Sequence, residues 1–217
     1  MKVSNQFVLS ACGVVVLGFS ATPAQALTLK TFTNESEFTA IATSLATETF
    51  NDATLSDKKN HVLDDFAIAS NMTWSRIVDG STAGNIDGSN FLRLQSRNSD
   101  TAAAFNFADS INAFGFDWAN TDSNGDTLEL MVGGQIFTFG LAGGSGFFGV
   151  IATDGDFDSV QFSDDAGSTF LQYGSIDNVR YGNVAPQAVP TPAAILPNLF
   201  LLGLNVLSRR GDRPTNP

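Results

Sequence analysis

An all-β fold is what the sequence predicts, and three observations predict it. Apolar residues recur with a period of two: Phe105 and Phe107, then Phe114, Phe116 and Trp118, then Leu128, Leu130 and Val132, then Phe137 and Phe139. Such alternation lines one face of a strand with apolar side chains and turns the other to water. Turn-forming pairs punctuate these runs: Asp79-Gly80, Asp87-Gly88, Asn124-Gly125, Gly133-Gly134, Gly143-Gly144 and Asp154-Gly155. Finally, 19 of the 217 residues are Phe, bulky filling for the space between two sheets. Many short strands with frequent turns indicate a sandwich or a barrel.

The elements follow in order. Residues 1–26 are expected to be a secretory signal peptide: Lys2, an apolar run over 7–19, a break at Pro23, and the small residues Ala24 and Ala26 at the positions a signal peptidase requires. Leu9-Ser10-Ala11-Cys12 also fits a lipobox, but the apolar run continues past Cys12 through Val14, Val15, Val16 and Leu17, so Cys12 is read as part of it. Residues 27–184 form the β domain. A strand over 27–32 leads to one short helix, in which Phe38, Ile41, Ala42 and Leu45 make an apolar stripe behind an Asn34 cap with Glu37 at the third position. That helix is expected to cover an open end of the sandwich. Glu48-Thr49-Phe50 starts the sheet proper. Phe66, Ile68, Ser70, Met72 and Trp74 alternate, which puts Trp74, like Trp118, in phase with the core. Asn124-Gly125 is the clearest hairpin, and the strands around Val160 and Phe162, then Val179 and Tyr181, close the fold.

Residues 185–192 are a Pro-rich, extended linker. An apolar segment over 193–207 follows, then Arg209, Arg210 and Arg213, within a terminal region 193–217. As a helix the apolar segment would reach only ~22 Å against a hydrocarbon core of ~30 Å, and Pro197, Asn198 and Asn205 weaken it further. The arginines suit a positive-inside stop. The segment is expected to touch the inner membrane transiently during export.

Charge and composition exclude several functions. The chain carries 11 Lys+Arg against 22 Asp+Glu, a net −11, so it lacks the basic patches that a nucleic-acid partner requires. One Cys and one His exclude a disulfide scaffold and a Cys/His zinc site. Residues 122–126 start like an EF-hand loop, but Thr127 and Gly133 stand where the turn Gly and bidentate Glu belong, so a polar turn is the better account. Asp154, Asp156 and Asp158, with Asp164 and Asp165 nearby, are read as a solvated loop, with calcium as the rival. His61 is expected in an exposed loop beside Lys58 and Lys59, without the elbow motif of a catalytic triad. A glycan-active carboxylate pair is the weaker alternative. Trp74, Trp118, Tyr173 and Tyr181 would stack on sugar rings wherever they are exposed.

Pro190, Thr191 and Pro192, the apolar stretch and Arg209-Arg210 resemble the PEP-CTERM sorting tail, in the P-T-P variant familiar from cyanobacteria. The resemblance implies recognition and cleavage by an exosortase-type membrane peptidase, and a Gram-negative surface or extracellular-matrix protein associated with exopolysaccharide. Glu48-Thr49-Phe50-Asn51-Asp52, the stretch around Phe114, Gly146-Phe147-Phe148-Gly149-Val150 and Ile176-Asp177-Asn178-Val179 are similar to the jelly-roll domains that precede such tails, themselves like carbohydrate-binding modules. This implies a jelly-roll β-sandwich and a structural calcium ion shared by Glu48, Asn51 and Asp177; the other account of Asp177 is a turn cap or a solvent-facing side chain. The expected function is that of a non-enzymatic exported protein, the alternative that of a secreted lectin-like module. Changing Arg209→Asp and Arg210→Asp should leave export intact and strand an uncleaved precursor; a normal mature mass for that variant would contradict the sorting assignment.

Overall fold

The computed structural model describes residues 27–56, 59–96, 101–120, 127–140, 143–164 and 174–185. The expected signal peptide, the Pro190-Thr191-Pro192 motif, the apolar segment 193–207 and Arg209-Arg210 lie outside the described residues, as do residues 122–126 and Tyr173. Among the described residues no helix is long and apolar enough to cross a membrane.

In chain order the elements are β1 (Leu29–Phe32), α1 (Glu35–Ile41), β2 (Ala46–Glu48), β3 (His61–Val62), β4 (Phe66–Ser70), β5 (Trp74–Val78), β6 (Phe91–Gln95), β7 (Ala103–Ile111), β8 (Ala113–Asn120), β9 (Leu128–Val132), β10 (Gln135–Gly140), β11 (Ser145–Ala152), β12 (Phe157–Asp164) and β13 (Gly174–Gly182). They form two antiparallel sheets. The first runs β1-β11-β8-β13-β6-β5, with β2 also on β13; the second runs β10-β9-β12-β7-β4-β3. The all-β sandwich is therefore as the periodicity indicates. Phe114, Phe116 and Trp118 of the first sheet face Phe105, Phe139 and Phe162 of the second, and all but the half-buried Phe139 are buried.

Consecutive strands often change sheet, and two expectations give way for that reason. β8 pairs with β11 and β13, and β9 with β10 and β12, so the strands that flank residues 121–126 belong to different sheets and do not pair with each other as a hairpin. The tight hairpin is at Gly133-Gly134, between β9 and β10, where both glycines have positive φ (57° and 77°). Between β4 and β5 the chain crosses at residues 71–73, which Asn71 pins by exchanging hydrogen bonds with Ala102. The crossing resets the phase: Ser75 and Ile77 point inward on β5, and Trp74 points out.

α1 begins as its cap dictates, with Asn34 Oδ1 accepting from the Glu37 amide at 3.2 Å. Its position differs from expectation. It lies on the outer face of the first sheet, where Phe38 and Ala42 cluster with Phe32, Ala113, Phe147 and Ile151. Two glycines make room. A Cβ on Gly149 would stand 2.8 Å from Phe38 Cδ2, and one on Gly115 2.8 Å from Phe147 Cζ. Arg180 on β13 fastens the helix from below, paired with Glu35 and with Asp117 and lying 5.4 Å from the centre of the Phe147 ring. Gly149→Ala should therefore destabilise. Relief of the glycine entropy cost, roughly 0.5–1 kcal/mol, is outweighed by overpacking of about 1–3 kcal/mol; an unchanged urea midpoint would contradict this seating of Phe38.

Candidate functional site

His61 is not in an exposed loop. It sits on the short edge strand β3, 7% exposed, and its Nε2 lies 2.9 Å from the Ser75 carbonyl on β5. A carbonyl only accepts, so Nε2 is the donor of this bond. This bond ties the edges of the two sheets together. Beside it opens a cleft of about 680 Å³, lined by Thr47, Glu48, Thr49, Asp52, Ser56, Asn60, His61, Asp64, Asp65 and Tyr181 among others. Tyr181 projects inward from β13 and donates its hydroxyl to Asp65 Oδ2 at 2.8 Å. Burial, followed by the Asp65 carboxylate, pushes the Tyr181 hydroxyl above the usual tyrosine range, so it stays a donor.

Large apolar side chains lie exposed around the same seam. Trp74 is 37% exposed, Leu55 52% and Val62 89%. Ser56, next to Leu55, bridges to Ile77 on β5, and Val62 follows His61. Trp74 immediately precedes Ser75, the residue bonded to His61. The expectation that Trp74 belongs to the core is thus corrected, and its cause is the change of sheet before β5. The Arg76 guanidinium lies 4.1 Å from the centre of the Trp74 ring and fixes it by a cation–π contact. Across the ladder from Trp74, Gln95 on β6 is buried with neither amide atom hydrogen-bonded. Trp118 and Tyr181 are in the core, each 8% exposed.

The three residues proposed to share calcium separate. Glu48 caps the Phe50 amide and lines the cleft. Asp177 is on the opposite, outer face of β13, fully buried, accepting from Ser89 Oγ at 2.8 Å and from the Asn178 amide at 2.7 Å. Asn51 joins the Asp177 side through the neighbouring residue, its Oδ1 accepting from the Asn90 amide at 3.1 Å. Asn178, in the left-handed region at φ 48°, makes the bulge that separates outward Asp177 from inward Val179. It also donates to Asp87 and Asp117. The trio therefore does not converge on one ion, and among the described residues no group of three or more His, Cys, Asp or Glu does. Asp154 ties the start of the domain to its far end, its carboxylate accepting from both the Thr28 amide (2.7 Å) and the Thr28 hydroxyl (2.6 Å). These bonds lower its pKa.

Sequence reasoning found the residue types and missed the cleft. A two-residue strand such as β3 has no period to detect, and the pairing of His61 with Ser75 depends on both sheet edges.

No protein-family model matches the chain, and no curated protein matches it. Among solved structures the chain is similar to variants of the family 29 carbohydrate-binding module CBM29-2. One is 15% identical, covering 64% of this chain and 99% of that one, with a TM-score of 0.38. Another, complexed with mannohexaose, is 13% identical over 64% and 94%, with 0.38. A third, complexed with cellulohexaose, is 12% identical over 64% and 93%, with 0.39. The sandwich assignment rests on this chain's own sheet order and register.

Burial, eased by the Ser89 and Asn178 bonds, raises the Asp177 carboxyl to about 6. A carboxyl with a raised folded pKa stabilises the fold below its unfolded value, ~3.9, and that contribution is lost as pH climbs through the folded value. Asp177→Asn escapes the loss. Its stability relative to wild type should rise between about pH 4 and 6, by on the order of 3 kcal/mol, then level off. Parallel melting curves at every pH would contradict the assignment.

Proposed function

We propose that residues 27–184 form a non-catalytic carbohydrate-binding jelly roll of an exported protein. The observation that carries this is Trp74: a large ring open to water on the edge strand β5, held by Arg76. An exposed, immobilised aromatic offers an apolar face to the C–H side of a sugar ring at little entropic cost. The cleft beside His61, whose partner Ser75 follows Trp74 on β5, offers hydrogen-bonding groups of the kind that sugar hydroxyls need. The carboxylates of Glu48, Asp52, Asp64 and Asp65 accept, and Asn60 and the threonines both donate and accept. The order of Pro190-Thr191-Pro192, the apolar stretch and Arg209-Arg210 supports delivery to the surface or matrix through an exosortase-type peptidase. Exopolysaccharide is then the partner at hand.

Of the two tryptophans, Trp118 is buried and Trp74 is not. Acrylamide should quench one population of the fluorescence, a polysaccharide mixture should protect it, and Trp74→Ala should abolish both the quenching and the binding. Fluorescence untouched by every glycan, with Trp74→Ala retaining any binding, would refute this function.

A further inference from the structure

Each sheet has two edges, and three of the four are blunted among the described residues. β1 carries Lys30; β5 is bridged along its free side by Ser56, whose amide donates to the Ile77 carbonyl; β3 has two residues, between Lys59 and the Asp64-Asp65 pair. The fourth edge, β10, is different. It pairs with β9 on one side, and among the described residues no strand pairs with its other side. Its sequence, Gln-Ile-Phe-Thr-Phe-Gly, contains no charge and no proline. Ile136 is 62% exposed. Natural edges usually carry such guards, because a free row of amides and carbonyls is a template for another strand.

The geometry points to β10 as the contact through which two copies of this chain pair edge to edge, antiparallel, into one continuous sheet. The charge distribution selects a second copy as the occupant. The chain carries −11, so two copies repel over most orientations, yet residues 130–153 contain no charged side chain at all, and β10 lies in the middle of them. An approach along this edge brings two uncharged strands together, with each Glu129 carboxylate set one strand back, opposite Thr138. A two-fold axis perpendicular to the sheet makes the contact self-complementary and closed. It also keeps outer faces outer, so Ile136 comes opposite either Ile136 or Thr138 of the second copy. The bulge after Thr138 limits the regular stretch to residues 135–138, which makes the pairing short and the association concentration-dependent.

Sedimentation equilibrium on the full chain tests this. The wild type should associate reversibly, and more strongly as added salt screens the −11 charge. The double variant Ile136→Lys, Thr138→Lys sets Lys opposite Lys in either register and should be monomeric with an unchanged circular dichroism spectrum. Ile136→Glu, a single exposed exchange, repeats the question should the double variant lose its native spectrum. A wild type that stays monomeric at all concentrations, association that weakens with salt, or folded variants that associate like the wild type would each overturn the proposal.

Discussion

Phe162 touches four other rings. Its centroid lies 5.1 Å from that of Phe105, 6.1 Å from Phe114, 4.9 Å from Phe116 and 6.2 Å from Phe139, all four in tilted or edge-on contact. Those four rings come from strands of both sheets. This aromatic layer is what the sandwich depends on. The described chain has no cysteine, so nothing covalent holds the sheets together. Edge-on packing of aromatic rings adds roughly 0.5–1.5 kcal/mol per pair beyond area burial, and a linked set of them fixes the spacing and offset of the two sheets. With that spacing set, His61 reaches the Ser75 carbonyl, and the cleft beside it acquires its walls.

The polar side of the molecule follows a different rule. Carboxylates outnumber cations two to one, and the structure puts several to work on backbone donors. Asp79 and Asp87 each accept from the amide and hydroxyl of the serine two residues on, and Asp154 does the same for Thr28 across the fold. These bonds favour the ionised form. Asp117 and Asp177 lie side by side across β8 and β13, and desolvation dominates both. Arg180 moderates the first by its charge. The same arginine carries Glu35 of the helix, so the electrostatics of the outer face and the seating of α1 are a single arrangement.

Much of the architecture was legible in the sequence. Period-two runs such as Phe114-Phe116-Trp118 named the inward face correctly because their partners lie on both flanks, and Asn34 announced the helix because its cap is a local matter. What could not be read was which sheet a strand joins. The run from Phe66 to Trp74 is uninterrupted in sequence, yet it spans a crossing, and the ring at its end turns outward. Glu48 and Asp177 are natural partners by their places at the first and last strands. The single extra residue at Asn178 sets Asp177 on one face while Glu48 stays with the cleft on the other. Alternation is local; sheet membership, register shifts and clefts between edges are decided by residues far apart in the chain.

That distance matters for β1. Leu29 lies opposite Ala152, and Thr28 is bound by Asp154, 126 residues further on. β1, the first of the described strands, thus has no strand neighbour until β11, most of the domain later, has followed it. Loop closure over such a span precedes any reward in contacts. β1 therefore stays unpaired while the rest of the domain is made, and completion of the first sheet waits for β11.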